Sequence, residues 1–163
     1  MSSVLTMESP VGTLKLVSDG AALTHVLFVD EPCSELAGCA GDPVLLEGRR
    51  QLDRYFAGGQ QPFDLPLSAQ GTSFQRRVWA ELAMIRYGAT ASYGDIATRL
   101  GMPLGGSRAV GLANGSNPIA IVVPCHRVIG SDGRLTGYAG GLERKQFLLG
   151  LESRAAAQQP LFA

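Results

Sequence analysis

The spacing of the apolar residues changes at residue 72, and this change limits the folds open to the chain. Before it, the stretches TLKLVSDG and LTHVLFVD alternate apolar and polar residues around a turn at Asp19 and Gly20, which predicts a β-hairpin. After it, apolar residues recur at helical intervals, which predicts amphipathic helices. Strands followed by helices are typical of an α+β protein.

The first part of the chain predicts a small sheet with one helix. Gly, Pro and Cys are frequent over 31–43, which predicts an irregular loop. Apolar spacing then predicts a helix over about 44–57, and AGGQQPFDLPL predicts a linker after it. We therefore predict two domains, 1–70 and 71–163.

Helix signals are frequent in the second part. Thr72 and Ser92 are each followed three residues later by a side chain that can complete a capping box. These signals predict helices over about 73–86 and 93–100. A glycine-rich turn, PLGG, leads to a third short helix, SRAVGLAN. Two short helices joined by a tight turn predict a helix-turn-helix, whose second helix would approach DNA.

The charge is distributed unevenly, although the net charge is zero. Residues 1–70 hold four basic and nine acidic side chains, whereas 71–163 hold ten basic and five acidic ones. Nine of those ten basic residues are Arg, which suits forked contacts to phosphates or base edges. An ordinary solvated surface is the alternative.

Cys125 follows an apolar run, IAIVV at 119–123, that ends at Pro124. The run predicts either a strand buried on both faces or an apolar segment threaded between helices. Pro124 ends any ladder because it has no N–H group. Cys125 therefore lies between a rigid interior and an accessible surface, as a small buried hydrophobe or as a reactive thiol.

The neighbours of Cys125 favour the reactive thiol. His126 is a base of suitable strength to take the thiol proton, and Arg127 adds positive charge that favours the thiolate. Adjacent side chains of extended backbone point to opposite sides, so the contact needs a turn or an intervening water. Glu152 could orient the imidazole, although its position at a helix end favours an exposed carboxylate.

The cysteine count favours a reducing compartment. Cys33, Cys39 and Cys125 make an odd number, so no disulfide framework is predicted. Cys33 and Cys39 with His25 match a zinc site only weakly, because the spacing is wide and a fourth ligand is missing. No apolar stretch reaches the roughly 18 residues of a membrane span. We expect a cytoplasmic protein without metal or cofactor.

The second part contains several short motifs: PCHRV at 124–128, NP at 117–118, GG at 140–141, SYGDIA at 92–97 and RAVGLANGSNP at 108–118. Taken together they resemble the O6-alkylguanine-DNA alkyltransferases, or methylated-DNA-protein-cysteine methyltransferases. The similarity is close over 71–152. It implies a small ribonuclease-H-like sheet-and-helix domain, followed by a mainly helical winged-helix or helix-turn-helix domain that carries the active-site cysteine.

The resemblance implies direct-reversal DNA repair. An alkyl group would pass irreversibly to Cys125 from O6-alkylguanine, and also from O4-methylthymine, in double-stranded DNA. His126 would activate the thiol through a water, and Glu152 would orient the imidazole. Each molecule would act once, as a monomer or with several copies together on DNA.

The resemblance also implies that the base is flipped out through the minor groove. Tyr93 would donate its hydroxyl to the flipped guanine, and Arg108 would fill the gap left in the stack. Asn117 would be a hinge between the DNA helix and the active-site segment. The small residues Ala109 and Gly111 would permit close approach to DNA.

The pocket itself is implied to be largely backbone. Carbonyls around Cys125 and Val128 would read the exocyclic amine, and the loop over 136–141, with Tyr138 and Ala139, would close over the base. Many relatives have Ser where this chain has Ala139, so a backbone N–H would serve as the donor to O6.

Three other functions are open. A non-catalytic protein that binds alkylated DNA would lack the cysteine, which this chain has. A helix-turn-helix regulator would have a bulkier polar recognition helix than SRAVGLAN, because major-groove edges are read by such side chains. A thiol hydrolase would need an oxyanion hole, and no clear one is predicted.

Overall fold

A computed structural model describes residues 2–30, 41–103 and 105–157 of the chain. The predicted α+β class is confirmed within them. The chain divides into two compact units, Met1–Gln70 with Pro118–Val122, and Gly71–Asn117 with Val123–Ala163. Residues 118–122 belong to the first unit, although the predicted division at residue 70 assigns them to the second domain.

The first unit contains a three-stranded antiparallel sheet in the order β1-β2-β3. Its strands are β1 (Ser3–Met7), β2 (Thr13–Ser18) and β3 (Leu23–Val29). The predicted hairpin is confirmed, since the Asp19 carboxylate accepts hydrogen bonds from the N–H groups of Ala21 and Ala22 in its turn.

One helix, α1 (Pro43–Phe56), accompanies this sheet. It begins after Asp42, whose carboxylate accepts from the N–H of Val44 at 2.9 Å, and it buries Leu45 and Leu52. The predicted loop over 31–43 lies almost wholly outside the described residues. Cys33 and Cys39 belong to that part of the chain, so the weakly matched zinc site lies outside the described residues as well.

The apolar run over 119–123 is largely buried, but it does not form the predicted strand. It pairs with β3 through a bridge between Val26 and Ile119, in which Val26 donates to the Pro118 carbonyl and accepts from the Ala120 N–H. The backbone then turns through Ile121, which has a φ of 71°. Because this left-handed conformation interrupts an extended chain, the bridging to β3 does not continue past Ile121.

The second unit is mainly helical. Its elements are α2 (Ser73–Leu82), β4 (Ala91–Ser92), α3 (Tyr93–Arg99), α4 (Ser107–Gly115), β5 (Val128–Ile129) and α5 (Leu142–Ala157). The short strands β4 and β5 pair in parallel. Trp79 of α2 donates its indole N–H to the Ala113 carbonyl of α4 at 2.9 Å, which fixes these two helices against each other.

Both predicted capping boxes are present, at Thr72 and at Ser92. The helix that follows Thr72 ends at Leu82, however, and not near residue 86. There the backbone changes to hydrogen bonds between residues three apart, as in a 3-10 helix. The N–H of Met84 donates to the Glu81 carbonyl and that of Ile85 to the Leu82 carbonyl. None of the described helices is both long and apolar enough for a membrane span.

Candidate active site

Cys125 lies in a single 3-10 turn, Cys125–Arg127, directly after Pro124. The Arg127 N–H closes the turn on the Pro124 carbonyl at 3.0 Å. Asn114 of α4 donates its side-chain amide to the Cys125 carbonyl at 3.3 Å. The turn replaces the extended backbone that would separate adjacent side chains, and it leaves Cys125 only 5% exposed.

The side chain of Glu152, from α5, binds the two residues that follow the cysteine. Its Oε2 lies 2.6 Å from His126 Nε2, and Arg127 donates from Nε to Oε1 at 2.8 Å and from Nη2 to Oε2 at 3.1 Å. Arg127 also donates to the Ile85 carbonyl at 2.7 Å. All three side chains are buried, so the exposed position favoured by the spacing of Glu152 is wrong. Burial depends on how α5 packs, which spacing does not contain.

The protonation states follow from burial and from these contacts. Burial raises the pKa of Glu152, but hydrogen bonds and charge from His126 and Arg127 outweigh it and hold the pKa at about 2. Burial lowers the pKa of His126, and the Glu152 carboxylate only partly offsets this. His126 is therefore neutral, with its Nε2 proton donated to Glu152. Its Nδ1, a free acceptor in this tautomer, has no hydrogen-bond partner among the described residues.

The environment of the Cys125 thiol acts in two directions. Burial raises its pKa, while hydrogen bonds from Asn117 and Tyr138 and the charge of Lys145 lower it by less. The resting thiol is therefore protonated at neutral pH and needs a base. Burial also raises the pKa of Tyr138, which keeps the phenol a neutral donor.

The charge of Lys145 also acts on Cys125 and lowers the pKa of its thiol. The guanidinium of Arg127 is held by Glu152, and the favourable effect of its charge on the thiolate stays a prediction. Lys145 is fully buried and donates from Nζ to the Thr136 carbonyl at 2.9 Å.

Sequence reasoning missed Lys145 and Asn114. A lysine is rarely buried, so the residue type gave no reason to select Lys145. The signal was present in the spacing, because the buried face of α5 consists of Lys145, Leu148, Glu152 and Ala155, at steps of three and four residues. Two charged side chains on one buried helical face indicate a polar site.

Tyr93 is the first residue of α3 and lies beside this cluster. Its ring centroid is 6.0 Å from Lys145 Nζ, and its hydroxyl accepts a hydrogen bond from Thr136 Oγ1 at 2.9 Å. A Cβ placed on Gly111 of α4 would lie 3.7 Å from the Tyr93 ring, an ordinary van der Waals distance, so α4 passes beside this ring.

The remaining predicted residues lie around the cysteine or on α4. Asn117 donates to the Val123 carbonyl at 2.8 Å, and Val128 begins β5 directly after the 3-10 turn. Ala139 is exposed in the glycine-rich loop. Arg108 is exposed in the first turn of α4, and Ala109 beside it is half-buried. Their roles stay predictions.

Two family models match the chain. The DNA binding domain of 6-O-methylguanine DNA methyltransferase matches residues 73–154, and the ribonuclease-like domain of 6-O-methylguanine DNA methyltransferase matches 5–69. Together they span both units of the fold.

Individual proteins are similar over nearly the whole length. A methylated-DNA–protein-cysteine methyltransferase of Mycolicibacterium paratuberculosis is 53% identical over 151 residues, 91% of each chain. One of Mycobacterium tuberculosis is 51% identical over 160 residues, 96% of each chain. The crystal structure of the Mycobacterium tuberculosis O6-methylguanine methyltransferase superposes with a TM-score of 0.86 at 45% identity, covering 99% of this chain and 96% of that one.

A further solved structure contains nucleic acid. Mycobacterium tuberculosis OGT in complex with DNA has a TM-score of 0.82 and 47% identity, with 92% of each chain covered. The matching domains, identities and folds agree with the motifs around Cys125. The chain therefore belongs to the 6-O-methylguanine DNA methyltransferase family, as an enzyme of the methylated-DNA–protein-cysteine methyltransferase type.

Proposed function

We propose that the protein repairs double-stranded DNA by moving the methyl group of O6-methylguanine onto Cys125, once per molecule. The observation that carries this proposal is the buried chain of contacts from the 3-10 turn of Cys125 and His126 to Glu152. A neutral imidazole with one nitrogen bound to a carboxylate is a general base held in one tautomer.

The chemical step begins with the thiol proton, which passes through a water to Nδ1 of His126. Glu152 stabilises the imidazolium that forms. The Cys125 sulfur then attacks the methyl carbon, an S–C bond forms, and the bond from that carbon to O6 breaks with its electron pair left on the base. Tyr93 donates its hydroxyl to the base and offsets this charge. The thioether product cannot be reversed by His126 or by water, so the molecule is consumed.

The base reaches Cys125 by leaving the DNA stack. Flipping costs a few kcal/mol, and less for a weakened, damaged pair. Arg108 fills the gap, and its exposure at the start of α4 supports this role. The small residues Ala109 and Gly111 suit entry to the minor groove, while Asn117 links α4 to the cysteine segment as a hinge.

The pocket recognises the flipped base mainly through backbone. Carbonyls around Cys125 and Val128 accept from the exocyclic amine, and the loop with Tyr138 and Ala139 closes over the ring. Ala139 offers no side-chain donor, so its backbone region must donate to O6. We expect O4-methylthymine to be a second substrate.

DNA is the proposed partner, and the relative solved in complex with DNA supports it. We propose that the protein binds as a monomer. The alternative of a non-catalytic alkylated-DNA-binding or helix-turn-helix regulatory protein is disfavoured, because such a protein has no use for a thiol paired with a buried base.

Nucleoside analysis of a treated duplex tests this function. With O6-methylguanine duplex in excess, we expect the guanine recovered to equal the amount of protein added. More guanine than protein would mean a turnover enzyme, and an abasic product would mean excision; either result contradicts the proposal.

A further inference from the structure

We infer that Thr136 is a positioning residue for methyl transfer, which holds the Tyr93 hydroxyl so that its proton is directed at the flipped base. The inference rests on the proposed function, because it needs Tyr93 to donate to the base. No motif at 124–128 or 92–97 includes Thr136, which lies in the glycine-rich loop between β5 and α5.

The contacts of Thr136 join three parts of the second unit. Its Oγ1 donates to the Tyr93 hydroxyl of α3 at 2.9 Å, and its carbonyl accepts from Lys145 Nζ of α5 at 2.9 Å. Lys145 also lies 6.0 Å from the centroid of the Tyr93 ring. Tyr93 is thus held at its hydroxyl by the loop and on its ring by a buried cation.

The direction of the hydroxyl bond is what gives it a function. A phenol has one proton to donate and can accept in addition. Both hydroxyls of this contact can donate and accept, so in the proposed complex the Tyr93 proton goes to the base while Thr136 Oγ1 donates to the Tyr93 oxygen 2.9 Å away. A hydroxyl that accepts a hydrogen bond is also polarised toward donating its own.

The backbone of Thr136 needs an anchor, since glycines surround it in the loop. Gly133 and Gly141 both have positive φ angles, 83° and 90°, and glycine restrains a backbone little. The bond from Lys145 supplies the anchor. A fully buried ammonium must keep an acceptor, so this contact is costly to break and fixes the Thr136 position.

Thr136 allows a clean test because its side chain is exposed. Thr136→Val keeps the shape and removes the hydroxyl, whereas Thr136→Ser keeps the hydroxyl and is the matched control. Neither change removes a buried contact, so both proteins should fold. Single-turnover kinetics at varied concentrations of O6-methylguanine duplex separate DNA affinity from the first-order transfer rate.

We expect Thr136→Val to slow the first-order transfer about fivefold, the worth of one hydrogen bond, with DNA affinity unchanged and Thr136→Ser close to wild type. In a Tyr93→Phe background Thr136→Val should cause no further loss, since the two side chains act through one hydroxyl.

Three results would overturn the inference. They are a wild-type rate in Thr136→Val, a loss confined to DNA affinity, and losses that multiply in the double variant. Each of these leaves the proposed function intact, because wild-type transfer is measured in the same series. Absence of transfer by the wild-type protein would overturn the proposed function and this inference with it.

Discussion

At the scale of single residues, the same type of ion pair occurs in two very different settings. Arg127 and Glu152 are joined by two bonds in the interior, whereas Arg134 and Asp132 pair at 3.3 Å on an exposed turn. Removing one partner of a buried pair leaves a charge that water cannot reach. An exposed partner is simply hydrated.

We therefore expect Arg127→Met to lower the free energy of unfolding by about 3–5 kcal/mol, because Glu152 keeps its charge without its cation. Arg134→Met is the matched control and should change it by less than about 0.5 kcal/mol. Urea unfolding followed by Trp79 fluorescence measures both. Equal effects of the two substitutions would refute the buried role of Arg127.

At the scale of elements, the features that sequence predicted well are those decided by near neighbours. The capping boxes at Thr72 and Ser92 are completed within three residues, and the side chains of Ser18 and Asp19 make the hairpin turn by accepting from the next N–H groups. Such contacts need no knowledge of the rest of the fold.

The features that sequence predicted poorly depend on distant packing. The run at 119–123 has the composition of a strand, but its bridging to β3 stops because the backbone turns at Ile121. The buried Glu152 and Lys145 owe their position to the packing of α5. Sequence reasoning could name Cys125 and His126 from their neighbours, and it needed the family resemblance to select Glu152 over an exposed carboxylate.

The helix α4 has a test of its own. We expect Arg108→Ala to slow repair of duplex DNA by roughly 10-fold or more, while transfer from free O6-methylguanine stays near wild type, because only the duplex needs its stack filled. Arg49→Ala, which removes an equal charge from α1 in the first unit, controls for non-specific attraction. Equal losses on duplex and free base would contradict the finger role of Arg108.

At the scale of the whole molecule, the buried site makes stability depend on pH. The pKa of His126 is lowered in the folded protein by burial, so below its unfolded value of about 6.5 the unfolded chain takes up the proton first. The contribution of His126 to the free energy of unfolding is therefore full above about pH 6.5 and declines as pH falls. Glu152 acts at lower pH, since its contribution to the free energy of unfolding is lost between its ordinary pKa of 4.5 and its folded pKa of about 2.

We expect the melting temperature to fall as pH drops from 7 to 5, with a loss of up to about 1.4 kcal/mol per pH unit from His126. His126→Gln should flatten this part of the curve, because the substituted side chain does not titrate. Thermal unfolding at matched ionic strength measures both proteins. An unchanged slope in His126→Gln would show that another group is responsible.

The central claim is that Cys125 receives the methyl group, and intact mass after incubation with an O6-methylguanine duplex tests it most directly. The wild-type protein should gain the mass of one methyl group in place of the thiol hydrogen, and no more with longer incubation. Cys125→Ser should gain nothing. No gain in the wild-type protein, or the same gain in Cys125→Ser, would contradict the account.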